Sequence, residues 1–214
     1  MKSVCLNVVP VSNKKIESFL LKTQKELNKV YEESFSRLPK VFLIGSRREL
    51  DKIQGKKTPA WLVAWTDNGS IYILDPKVYE KESCHKGDFW QVLKHEYCHI
   101  YHHRITWNNY PHWLIEGTAC YFAGQMKSSP SEKEVLAIFS NPDPENVYNV
   151  GIFWTEVLAR EFGKRKLIGF IKGIKYDTTQ KNFPSLFKRH FRVPFSRVWG
   201  EKMVSKYLLS TSKR

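Results

Sequence analysis

Two periods alternate along the chain. Ile16, Phe19, Leu20, Leu27, Val30, Tyr31 and Phe35 recur at three-and-four spacing among Lys and Glu, which predicts an amphipathic helix over residues 14–36. Val41–Ile44 is a short apolar run closed by Gly45, as in a buried strand, and Ser46 with Glu49 three residues on opens a helix to Ile53. Trp61–Trp65 and Ile71–Leu74 are rich in strand formers and flank Asp67-Asn68-Gly69, a tight-turn sequence, so they predict a hairpin. From Asp88 the helical period takes over. Asp88 serves as N-cap with Gln91 as its reciprocal partner, and Phe89, Val92, Leu93 and Ile100 mark a helix to about residue 104. After the polar break Thr106–Tyr110, Pro111 suits the first turn of a helix that carries Trp113, Leu114 and Glu116 and stops at Gly124. Ser131 with Glu134 opens a short helix, and Asn141-Pro142-Asp143-Pro144 breaks the chain. Ile152–Phe162 forms a further helix with Gly163 as left-handed cap. Two or three more helices follow, with Pro184 and Pro194 near their starts.

This order, strands early and helices late, predicts an α+β domain with a small twisted sheet and a mostly helical second half. Its expected parts are a helical segment 1–36, a sheet and long helix over 37–104, and a helical region 105–214.

The long helix holds the chemistry. It contains His95-Glu96-Tyr97-Cys98-His99. Residues four apart on a helix are separated by about 400° of rotation and ~6 Å of rise, so both imidazoles point from one face toward one place, where a zinc ion can sit. Glu96 lies about 100° around from His95, at the edge of that face, where its carboxylate can reach a metal-bound water as a general base. Catalytic zinc takes three protein ligands and one open position. Glu116, on the next helix, is the leading candidate for the third ligand. His103 falls four after His99, but three histidines in one row span roughly 12 Å, too far for one tetrahedral ion. Cys98 and Cys120 are weaker ligand candidates and suit apolar packing better. His85, His112 and His190 suit surface or capping positions.

With 7 His in 214 residues, a His-Glu-x-x-His run arises by chance on the order of 0.02 times per chain. The bland alternative is a buried polar cluster, in which two His and two Glu converge without a metal and their desolvation goes uncompensated.

Composition narrows the setting. At 42 % apolar and 14 % aromatic, the chain can bury a substantial core. No run approaches the ~18 apolar residues of a membrane span, and residues 1–10 lack an h-region and cleavage site, so a cytoplasmic protein is expected. Four irregularly spaced cysteines imply reduced thiols. Charge is concentrated at the end. Residues 164–214 hold 14 Lys and Arg against 2 acids, which gives 12 of the net +14. That suits either a solvated face or an acidic protein or anionic surface as partner. No nucleic-acid motif accompanies it, and Phe183, Phe187, Phe191 and Trp199 recur as core positions rather than stacking platforms.

The segment HEYCH, sixteen further residues, then Glu116 within WLIEGTACY resembles the gluzincin metallopeptidases. The closest likeness is to stand-alone peptidase MA-like domains and minigluzincins, and a more distant one is to the aminopeptidase N catalytic domain. The resemblance covers about residues 40–210. It implies a zincin-like fold, one zinc held by His95, His99 and Glu116, and Glu96 as base in hydrolysis of a peptide or protein substrate. Tyr148-Asn149-Val150-Gly151 resembles the Tyr-x-x-Gly segment whose tyrosine stabilises the transition state, which implies that role for Tyr148. In gluzincins a strand binds extended peptide as one more strand. That implies main-chain substrate contact for Ser70, Ile71, Tyr72, Ile73 and Leu74, with an ordinary hairpin as the alternative. There is no Gly-x-Met-Glu-Asn segment, so endopeptidase action is expected. Some small relatives are latent, so residues 14–36 either pack on the core or cover the active site. From another class comes a zinc-stabilised interaction module that works through residues 164–214.

Overall fold

The computed structural model describes residues 13–82, 88–106, 110–125, 129–141, 144–174 and 178–207. The chain is α+β and divides into two compact units, Met1–Ile100 and Tyr101–Arg214.

In the first unit, helix α1 spans Lys14–Tyr31. Asn13 caps it, its Oδ1 accepting from Lys15 N at 2.9 Å. The helix ends five residues before the expected 36. The Asn28 side chain explains this by pairing with Phe35 through both main-chain groups, at 2.9 and 3.1 Å, so the chain folds back instead of continuing. Ile16, Leu20, Leu27 and Tyr31 are buried.

Strands β1 (Lys40–Ile44), β2 (Ala64–Asp67) and β3 (Ser70–Leu74) form a sheet in the order β1-β3-β2, with β1 parallel and β2 antiparallel to β3. The hairpin turn is Asn68-Gly69, both at positive φ (47° and 72°), as a two-residue turn of this twist requires. Ile71 and Ile73 are fully buried. Tyr72 shows its ring on the other face, stacked between Phe42 at 4.7 Å and Trp65 at 4.9 Å. Helix α2 (Arg47–Gln54) starts at Ser46, whose Oγ accepts from Glu49 N. Glu49 returns its carboxylate to Gly45 N–H, one residue outside the expected capping box. The Arg47 guanidinium donates to the carbonyls of Pro59, Ala60 and Leu62. Those carbonyls are committed to a side chain, so β2 begins at Ala64 and not at the expected Trp61. Helix α3 (Pro76–Glu82) was not anticipated, although Asp75 caps Lys77 N–H and Pro76 follows it.

Helix α4 (Phe89–Thr106) is capped by Asp88, whose Oδ1 accepts from Trp90 N. It crosses the division between the units and is buried nearly all around from Val92 to His102. Helix α1 packs on it through Phe19 and Trp90, whose rings lie 5.0 Å apart, a Glu26–Lys94 ion pair at 2.6 Å and a Gln24–Tyr97 hydrogen bond at 3.1 Å. At ~100° per residue, these α4 contacts face about 150° away from His95 and His99. Helix α1 thus braces the back of the motif helix and leaves the histidine face alone, which favours the packing role over a cover.

The second unit is helical: α5 (His112–Ala123), α6 (Glu132–Leu136) with a 3-10 turn Ala137–Phe139, α7 (Val147–Phe162), α8 (Lys164–Gly173), α9 (Phe183–Phe191) and α10 (Arg197–Tyr207). Pro111 is the N-cap of α5 rather than its first-turn residue. Helix α7 begins five residues earlier than the apolar run, at Val147. Gly163 has φ 87° and ψ 146°, an extended positive-φ joint between α7 and α8 and not a left-handed cap. Phe170, Phe183, Phe187 and Phe191 are buried, and Phe195 and Trp199 join them at ring distances near 5 Å. Trp154 anchors the group by donating from Nε1 to Val135 O at 2.7 Å. Phe183, Phe187 and Phe191 are therefore core, and Trp199 packs against them, as their spacing predicts.

A candidate metal centre

The helix register of α4 places His95 and His99 side by side. Their Nε2 atoms are 2.9 Å apart and their rings meet edge to face. Glu116 stands in the second turn of α5, where Trp113, Leu114, Ile115, Cys120 and Ala119 are all buried. A helix buried on so much of its surface cannot rotate, so the direction of Glu116 is fixed by packing.

One ligand atom from each of His95, His99 and Glu116 lies within 4.8 Å of the others. Tetrahedral bonds of about 2.1 Å hold ligand atoms ~3.4 Å apart, so closure asks for side-chain adjustment of somewhat more than ~1 Å. The set is of two imidazoles and one carboxylate, compatible with zinc and other divalent metals, with His95 and Glu116 buried at 6 % and 9 % exposure and His99 half-buried. These three residues can hold a metal ion.

Glu96 is buried at 7 % and stands outside the converging group, as a base must that does not occupy a coordination position. Cys98 and Cys120 are fully buried and also stand outside it. They are packing residues. His103 is exposed, and His190 is half-buried and bonds Lys166 O at 2.7 Å.

Tyr148 is half-buried in the first turn of α7. One turn further on is Gly151, where α7 crosses α5 with backbone against backbone. A Cβ on Gly151 would lie 2.2 Å from Trp113 O, and one on Gly117 would lie 2.1 Å from Gly151 C and O. Only a glycine on each helix permits this approach. Gly117 follows Glu116 directly, so the crossing sets the spacing between Glu116 and the turn that carries Tyr148.

The substrate strand needs correction. β3 is the central strand. Every residue from Ser70 to Leu74 is aligned with β1 on one side, and Ser70 to Ile73 with β2 on the other. Ser70, Ile71, Tyr72, Ile73 and Leu74 have no open edge onto which a peptide could add as one more strand. The order was hidden in the sequence because β1 inserts beside β3 by a parallel crossover.

One contact went unread in the sequence. His112, exposed at 45 %, places Nε2 3.2 Å from Glu116 Oε1. The signal was available: His112 and Glu116 are four apart on one helix.

No family model matches the sequence, and no curated protein matches it. No helix among the described residues is long and apolar enough to cross a membrane.

Proposed function

We propose that the chain is a zinc-dependent peptidase of gluzincin type, with an endopeptidase action on peptides or proteins. The observation that supports it best is the convergence of His95, His99 and Glu116 with Glu96 buried beside them and outside the set. A structural zinc site is normally closed by four protein ligands and has no use for a base. His95, His99 and Glu116 would hold the zinc ion, which when bound would supply Lewis acidity toward a peptide carbonyl and a lowered pKa for water, toward ~7. Glu96 takes the proton from the attacking water and delivers it to the leaving amine. Tyr148 donates its hydroxyl to the oxyanion that develops at the carbonyl.

A second reading, a zinc-stabilised interaction module, has the charge of residues 164–214 in its favour. Glu96→Gln separates the two. It keeps size and removes the base, so zinc content and melting temperature should match wild type while cleavage of a peptide library falls at least ~10²-fold. Full activity in this variant, or a wild type that binds zinc and cleaves nothing, would reject the peptidase reading.

A further inference from the structure

We infer that His112 is a positioning residue that orients the Glu116 carboxylate for the metal, an inference that rests on the metal centre proposed above. Its Nε2 lies 3.2 Å from Glu116 Oε1, while the converging set contains His95, His99 and Glu116 and leaves His112 out. His112 therefore touches a ligand without being one. A carboxylate has two oxygens, and an N–H that holds one fixes the plane of the group and leaves the other to serve a cation. The pair is set by α5. The helix starts at His112, directly after its N-cap Pro111, and Trp113, Leu114 and Ile115 are buried, so residues 112 and 116 stay one above the other on the same face. A partner of this kind restricts carboxylate rotation before the metal arrives, and its loss typically weakens metal binding tenfold to hundredfold, on the order of what other outer-shell changes cost.

The test is zinc affinity by competition with a chromophoric chelator, read on the full chain at one pH for wild type, His112→Ala, His112→Gln and Glu116→Ala. His112→Ala should raise the zinc Kd about tenfold to hundredfold, and His112→Gln, which keeps an N–H donor, should recover most of that. The melting temperature of the metal-free protein should be the same in wild type and the two His112 variants, since His112 is half exposed, while the added stability from zinc should shrink in His112→Ala. A purely structural role would lower the metal-free melting temperature and leave the Kd alone, which overturns the inference. So does a His112→Ala Kd within twofold of wild type, with wild type and Glu116→Ala well separated. A wild type that does not bind zinc overturns the metal centre itself, and a Glu116→Ala that binds as wild type does overturns Glu116 as ligand.

Discussion

Two glycines decide more of this site than their size suggests. In a helix, alanine is favoured over glycine by about 1 kcal/mol, so propensity alone would stabilise Gly151→Ala. The crossing reverses the sign. A methyl group at 151 would stand 2.2 Å from Trp113 O and 2.9 Å from Gly117 Cα, and main-chain atoms cannot swing away as a side chain can. The helices must separate, at a net cost of roughly 1–3 kcal/mol or more, the scale of an overpacked core. Denaturant unfolding of Gly151→Ala measures it, and a variant as stable as wild type would show that the helices part freely. Tyr148, one turn away, is the complementary case, because Tyr148→Phe removes a single oxygen. If that hydroxyl meets charge only as the oxyanion forms, kcat should fall about 10² to 10³ with KM nearly unchanged. A raised KM with kcat unchanged would assign the hydroxyl to ground-state binding instead.

At the level of elements, the α6–α7 corner carries a pH signature. Ser131 and Glu134 form a complete capping box at the start of α6, and Glu134 also accepts from Asn146, the residue before α7, at 2.8 Å. The Ser131 hydroxyl first, then the Asn146 amide and the Ser131 main-chain N–H, lower the Glu134 carboxyl from 4.5 to about 2. A depressed folded pKa contributes stability that is complete above the unfolded value and is lost as pH falls, here across pH 4.5 to about 2. Glu134→Gln should flatten the acid limb of the stability curve in that window by lowering stability near neutrality and leaving it close to wild type at the acid end. Identical acid limbs in the two proteins would assign the loss to other carboxylates. This box was legible in the sequence, as were the Asp88 cap, the Asn68-Gly69 turn and the His-Glu-x-x-His helix, because each is a local rule with all its partners within four residues. What was not legible depended on distant partners. Asn28 ends α1 by bonding Phe35, Arg47 draws three carbonyls away from β2, and β1 takes the far edge of β3. The last of these removed the substrate strand, since a hairpin read alone leaves one side of Ser70–Leu74 open when a third strand in fact fills it.

At the scale of the whole molecule, the uneven charge gains an address. His190 on α9 bonds Lys166 O on α8, and that bond ties the first turn of α8 to the last turn of α9. Lys164 and Arg165 thereby share one end of the second unit with Lys188, Arg189 and Arg192, all exposed, and neither helix contains an acid. Elsewhere in the last quarter the cations are partly spoken for, Arg197 by Glu201 and Lys206 by Glu161. Exposed ion pairs of that kind add little stability, and the α8–α9 end concentrates exposed positive charge. Should an anionic partner dock there, each contacted anionic group releases counterions. About four contacts to a polyanion such as DNA imply a drop in affinity of ~10²-fold between ~50 and ~200 mM salt. Anionic vesicles, acidic peptides and DNA, each titrated at both salt levels against wild type and Arg165→Glu/Arg189→Glu/Arg192→Glu, distinguish the outcomes. Steep salt dependence that the triple variant abolishes locates the surface on α8 and α9. Equal binding by the variant moves it elsewhere, and no binding at low salt leaves these residues as a solvated face that keeps a basic protein soluble.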